Sequence, residues 1–131
     1  MANNPVNWID PLGLTWEDVE RAMEVLKKYH PEYYNPRASV SFGDTGKDVG
    51  DWDPGTENIV LSVEHFGGTL SDDQKYFLLE TLAHEYWHSN HPWQTLRDYL
   101  VDPEHVHVDI EIQKRLSKEA YDAMKNKRQC K

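Results

Sequence analysis

The chain has a single cysteine, Cys130, among its 131 residues. One thiol closes no internal disulfide, and no cysteine cluster is present to hold a metal. Any bound metal must rely on histidines and carboxylates. Basic residues are also scarce: 14 Lys and Arg stand against 23 Asp and Glu, a formal net charge of -9. A polyanion repels phosphate backbones, so nucleic acid is a disfavoured partner. The basic cluster Lys125-Asn126-Lys127-Arg128 reads as a helix C-terminus complementing its own dipole. No run of about 18 apolar residues occurs, so no membrane span is expected. Met1-Ala2-Asn3-Asn4-Pro5 has neither the basic nor the apolar region of a signal peptide, so export is expected to use another route. Internal repeats and low-complexity tracts are missing too.

What remains fits one compact domain. Hydrophobic residues make up 38% and charged residues 28% of the chain, and five Trp and seven Tyr help to fill a small core. Residues 1–14 read as irregular, with two prolines and a Pro11-Leu12-Gly13 turn. Thr15 is a good N-cap, followed by Glu17 and Asp18 in a first turn and by the helical stripe Val19, Ala22, Met23, Leu26. That helix stops before His30-Pro31. Alternation and β-branching predict strands over Ala38–Phe42 and Asn58–Val63, with a Gly- and Asp-rich loop from Gly43 to Gly55 between them. Ser71 caps a helix over Asp72–Asn90, which His91-Pro92 ends. Asp102-Pro103 announces a last helix running to about Lys127. Within it, His105 to Ile112 alternates like a strand, but the cap and the helical run behind it favour helix. The expected class is α+β with a small sheet.

The strongest chemical signal is His84-Glu85-Tyr86-Trp87-His88, an H-E-x-x-H sequence on a predicted helix. Residues four apart share one helix face, so both imidazoles can reach one ion. Glu85 lies about 100° further round, where it can reach a water on the metal without binding the ion. Zinc lowers the pKa of such a water towards about 7, and Glu85 then takes its proton. Leu78, Leu79, Leu82, Ala83, Tyr86 and Trp87 are expected to pack into the core, turning the histidines towards a cleft.

A catalytic zinc usually has three protein ligands plus water. The candidates for the third are His91, Glu104, His105, His107, Asp109 and Glu111. His91 sits too far along the helix to reach the same ion without an intervening turn. If the last segment is helical, its core stripe reads Ile112, Leu116, Ala120, Ala123, and extends backwards through Asp109 and His105. Two polar groups continuing a core stripe must be satisfied, and a metal would do so. His105 is therefore favoured as ligand, with Asp109 either a second ligand or the group that orients a ligand imidazole. His107 and Glu111 read as a solvated helix face. A substrate bound as an extended strand needs a sheet edge, and Asn58–Val63 is the natural one. Tyr99 and His107 are possible oxyanion donors.

Two resemblances add to this reading. Residues 71–112 look like the zincin metallopeptidases, through His84-Glu85-x-x-His88 and the helix after it. In the gluzincin branch a later helix carries Glu-x-x-x-Asp, and His105-x-x-x-Asp109 resembles that layout with His in the first place. The resemblance implies a small mixed sheet whose edge strand lies above the active-site helix. Separately, Pro5-Val6-Asn7-Trp8-Ile9-Asp10-Pro11-Leu12-Gly13-Leu14 resembles the P-x-x-x-x-D-P-x-G-L signature of Rhs and other YD-repeat proteins. In that family the signature closes a repeat-built shell, and cleavage after its last Leu releases a variable toxin. The resemblance places the junction between Leu14 and Thr15, with residues 1–14 as carrier tail and 15–131 as a toxin domain. It implies synthesis in a bacterial cytoplasm, export with the Rhs shell by a specialised secretion machine, a protein substrate in a target cell, and a cognate immunity protein.

The leading expectation is a secreted polymorphic-toxin endopeptidase. Its Zn²⁺ would sit on His84, His88 and His105, with Glu85 as base. Two rivals come from other classes: a metal-dependent nuclease toxin, and a non-catalytic, zinc-stabilised binding module whose metal has four protein ligands.

Overall fold

A computed structural model describes residues 16–101 and 106–125, without the side chain of Tyr99. The Rhs-like signature, the Leu14–Thr15 junction and His105 all lie outside the described residues. Within them the fold is α+β, as expected: six α-helices surround a three-stranded mixed sheet. The helices are α1 (Glu17–Tyr29), α2 (Val63–Phe66), α3 (Asp72–Asn90), α4 (Pro92–Val101), α5 (Val106–Arg115) and α6 (Lys118–Lys125). The strands are β1 (Ser39–Gly43), β2 (Gly50–Asp53) and β3 (Asn58–Ser62). None of the described helices is long and apolar enough to cross a membrane.

Helix α3 is the hub, packing against α1, α5, α6 and β2. It begins as the sequence predicts. Ser71 Oγ accepts from Gln74 N, and Gln74 Oε1 accepts from Ser71 N at 2.8 Å, a reciprocal capping box. Leu78, Leu79, Leu82, Ala83 and Tyr86 are fully buried and Trp87 nearly so. Thr81, Glu85, His88 and Ser89 are buried as well. The second half of α3 is therefore enclosed on almost every side, rather than apolar on one face and wet on the other.

Several elements correct the sequence reading. The expected loop over Gly43–Gly55 contains β2. Glycine and aspartate disfavour strands, but Gly50 and Trp52 are buried while Asp51 and Asp53 are exposed, and that alternation of burial sustains the strand. The sheet order is β1-β3-β2, with β1 parallel and β2 antiparallel to β3. Asn58–Val63 is thus the central strand and not an edge. It also ends at Ser62, whose Oγ caps the short α2. Pro92 does not only stop α3; it opens α4, where a missing N–H costs nothing.

The last helix is two helices. Ser117 breaks it: its N–H donates to His30 Nε2 (2.9 Å) and its Oγ accepts from Ala120 N (3.2 Å). The core stripe of α5 runs through Val108, Ile112 and Leu116, while Asp109 is exposed. The expected stripe through Asp109 is one position out of phase. On α6, Ala120 and Met124 are buried and Ala123 is only partly covered. At the other end, α1 starts at Glu17 with Trp16 at the N-cap position and no side-chain cap bond.

Replacing Ser71 by alanine removes half of the capping box, and should cost about 1 kcal/mol. In urea titrations the midpoint should fall while the slope stays unchanged.

Candidate metal centre

The sheet, α3 and α5 enclose a cleft of about 520 Å³. Its lining includes Asp48 to Trp52 from and before β2, Thr81, His84, Glu85 and His88 from α3, and Asp109 and Ile112 from α5. The two histidines of the motif lie one turn apart, with Nε2 atoms 3.0 Å from each other. Each ring is held from behind. His84 Nδ1 is 2.7 Å from Asp109 Oδ1. His88 Nδ1 is 2.9 Å from Thr95 Oγ1 on α4, a helix the sequence reading missed.

These partners fix the tautomers. A carboxylate only accepts, so His84 Nδ1 carries a proton. Thr95 Oγ1 donates to the backbone oxygen of His88 (3.3 Å), so it accepts from His88 Nδ1. In their neutral forms both rings then present an Nε2 lone pair to the same point. At this spacing one ring can donate to the other when a proton is shared, and both Nε2 atoms are within reach of one ion. Tetrahedral zinc with imidazoles at about 2.0–2.1 Å separates the two nitrogens by roughly 3.3 Å. A shift of a few tenths of an ångström fits the ion. Burial lowers the pKa of His84, but the hydrogen bond to Asp109 and the charges of Glu85 and Asp109 outweigh it and leave the value raised.

Glu85 faces the same cleft from a position 5% exposed. Its Oε1 has no hydrogen-bond partner among the described residues. Burial pushes its pKa up to about 8; His84 pulls it back, while Asp51, Asp48 and Asp109 push further. Gly50 makes this placement possible. A Cβ there would stand 3.1 Å from Thr81 Cγ2 and 3.2 Å from both Cγ and Oε2 of Glu85. A side chain there would push Thr81 and Glu85 aside by a few tenths of an ångström, so glycine suits the close approach of β2 to α3.

The other candidates sort by position. Asp109 is brought to the site, behind His84. His91 stacks on Trp87, with centroids 4.5 Å apart, and bonds Trp87 O rather than lining the cleft. His107 lies 3.3 Å from the buried carboxyl of Asp98, also away from the lining. Glu111 pairs with Arg115. Glu104 and His105 fall outside the described residues. Among the described residues, no three His, Cys, Asp or Glu side chains gather as a metal-holding group. Thr95 and Gly50 were missed. A threonine seven residues after a histidine, across an unrecognised helix start, carries no sequence signal. The only hint of Gly50 is a glycine between alternating aspartates. No family model matches the chain, and neither does any curated protein or solved structure.

The raised pKa of Glu85 makes the metal-free protein pH-sensitive. Below the ordinary value of 4.5 folded and unfolded chains are both protonated at this group. Between there and about 8 the unfolded chain releases the proton and the folded one keeps it. Stability should therefore fall as pH rises through that window, by up to about 1.4 kcal/mol per pH unit from this group alone. Denaturant titrations in chelator, from pH 4 to 9, should show the decline flattened in Glu85→Gln.

Proposed function

We propose that this chain is a zinc-dependent endopeptidase of the zincin type, deployed as the toxin domain of an Rhs protein. The observation that carries the reading is the convergence of His84 Nε2 and His88 Nε2, each ring oriented by a separate partner, beside a buried carboxyl whose Oε1 has no hydrogen-bond partner among the described residues. His84 and His88 would hold the ion, with His105 proposed as third ligand and Asp109 orienting His84. When bound, Zn²⁺ supplies Lewis acidity for the scissile carbonyl and lowers the pKa of a nearby water. Glu85 takes a proton from the attacking water and delivers it to the leaving amine. A positive ion beside it favours its charged form, so the raised pKa of the metal-free carboxyl falls into a range useful to a base.

The substrate would lie along the outer edge of β2. Val49 O accepts from Ser62 N, so Val49 faces β3, and in an antiparallel pair alternate residues face opposite edges. Gly50 and Trp52 therefore direct their backbone groups outwards. The Trp52 N–H is held there by the carboxylate of Asp51 (3.0 Å). An extended peptide could take over those groups and lie across the histidines. The acid-lined cleft opposes a phosphate backbone, which disfavours the nuclease alternative. As an Rhs toxin the domain would be made in a bacterial cytoplasm, exported with its shell, and neutralised in the producer by an immunity protein.

Glu85→Gln keeps the ligands and removes the base. It should bind about one zinc, as the parent does, and lose roughly 10²–10⁴-fold in peptide hydrolysis and in toxicity when expressed inside cells. Equal killing by the two proteins, or a parent that binds no zinc, would sink the proposal. Asp109→Asn should weaken zinc binding about 10–100-fold in chelator competition while leaving far-UV circular dichroism unchanged.

A further inference from the structure

The cleft holds more negative charge than a metal centre uses. Asp109 supports His84 and Glu85 has the role of base, but Asp48, Asp51 and Glu80 also line the cleft. Among the described residues none of these three takes part in an ion pair, and no Lys or Arg is on the lining. Glu80 sits one turn before His84 on α3, so it shares that helix face. It is also fixed in place. Tyr121 Oη donates to Glu80 Oε2 at 2.6 Å, and the Tyr121 ring is itself braced edge-on by Tyr76, with centroids 5.3 Å apart. Asp48 and Asp51 flank Gly50 in sequence and line the same cleft from the side of the sheet.

A second feature is independent of this charge. Trp52 lines the cleft at 6% exposure, and its indole Nε1 is buried without a hydrogen-bond partner. A buried donor left unpaired is costly, and an acceptor on a ligand would recover that cost. Trp52, Phe77 and Ile112 add apolar wall to the same cleft. Apolar walls ending in carboxylates suit a long aliphatic stem with a cationic head.

We propose that Asp48, Asp51 and Glu80 are specificity determinants that make this cleft select peptides with a lysine or arginine next to the scissile bond. The inference rests on the peptidase reading of the same cleft. The stem would pack on Trp52 and Phe77, the charged head would meet Glu80, Asp48 or Asp51, and the Trp52 indole would donate to a substrate carbonyl. Binding of the cation would relieve the repulsion among carboxylates that Glu85 shares with Asp48 and Asp51.

Binding and cleavage test it separately. Zinc-loaded Glu85→Gln protein is titrated with fluorescent hexapeptides carrying a central Lys, Ala or Glu, followed by anisotropy at low and moderate salt. The Lys peptide should bind about ten-fold tighter than the Ala peptide, the Glu peptide should bind weakest, and the spread should shrink with salt. Glu80→Gln or Asp51→Asn, each added to that background, should reduce the Lys preference to about three-fold or less. Asn at position 51 can still accept from Trp52 N–H, and retained zinc certifies each fold; Asp48→Asn serves where one of them is lost. Equal binding of the Lys and Glu peptides, or no binding of any, overturns the inference. The parent protein is then given the same peptides and the products are read by mass spectrometry. Cleavage without charge preference overturns the inference and leaves the peptidase reading standing. Selective binding of the Lys peptide without cleavage overturns the peptidase reading, and with it the placement of the lysine beside a scissile bond, while the charge preference of the cleft stands.

Discussion

The arrangement depends on the contact between Gly50 and Glu85. A strand and a helix that meet through a glycine can come closer than any other pair, and here that closeness buries a carboxyl beside two histidines. The cost is a desolvated acid, seen in its raised pKa. The rest of the fold offsets that cost. Helix α3 is packed against α1, α5 and α6, which hold it against the sheet. Such strain-bearing groups collect at functional sites, because a core built for stability alone would place an apolar residue there.

The histidines show the same logic in their supports. Each ring is steered by an element that α3 does not supply: Asp109 reaches His84 from α5, and Thr95 reaches His88 from α4. The motif fixes only which residues share a face. The direction of each lone pair is a tertiary property, set by two helices that arrive later in the chain.

That division explains what could be read in the sequence. The limits of α3, its cap and its buried residues follow from local rules, and so do most of β1, all of β3 and the α+β class. The pairing of His84 with His88 follows from helical spacing. What escaped depends on partners far away in sequence. Trp52 and Gly50 make a strand only because α3 covers one face of it. The edge passed from Asn58–Val63 to β2 because a strand hidden among aspartates paired with it. The single C-terminal helix became two because His30, 87 residues earlier, offers a ring nitrogen to Ser117. Asp109 reaches His84, but not along the core stripe from which the sequence suggests it: it stands on the exposed side of α5, beside that stripe and not in it.

Helix α1 lies against α6, and Arg21 near the start of one donates to the backbone oxygen of Ala123 near the end of the other (3.3 Å). The described chain thus returns to where it began, while none of the residues lining the cleft comes from either helix. Units whose ends lie close together tolerate insertion into a host loop, and a pull on the described residues from either side would load α1 and α6 before it reached the cleft.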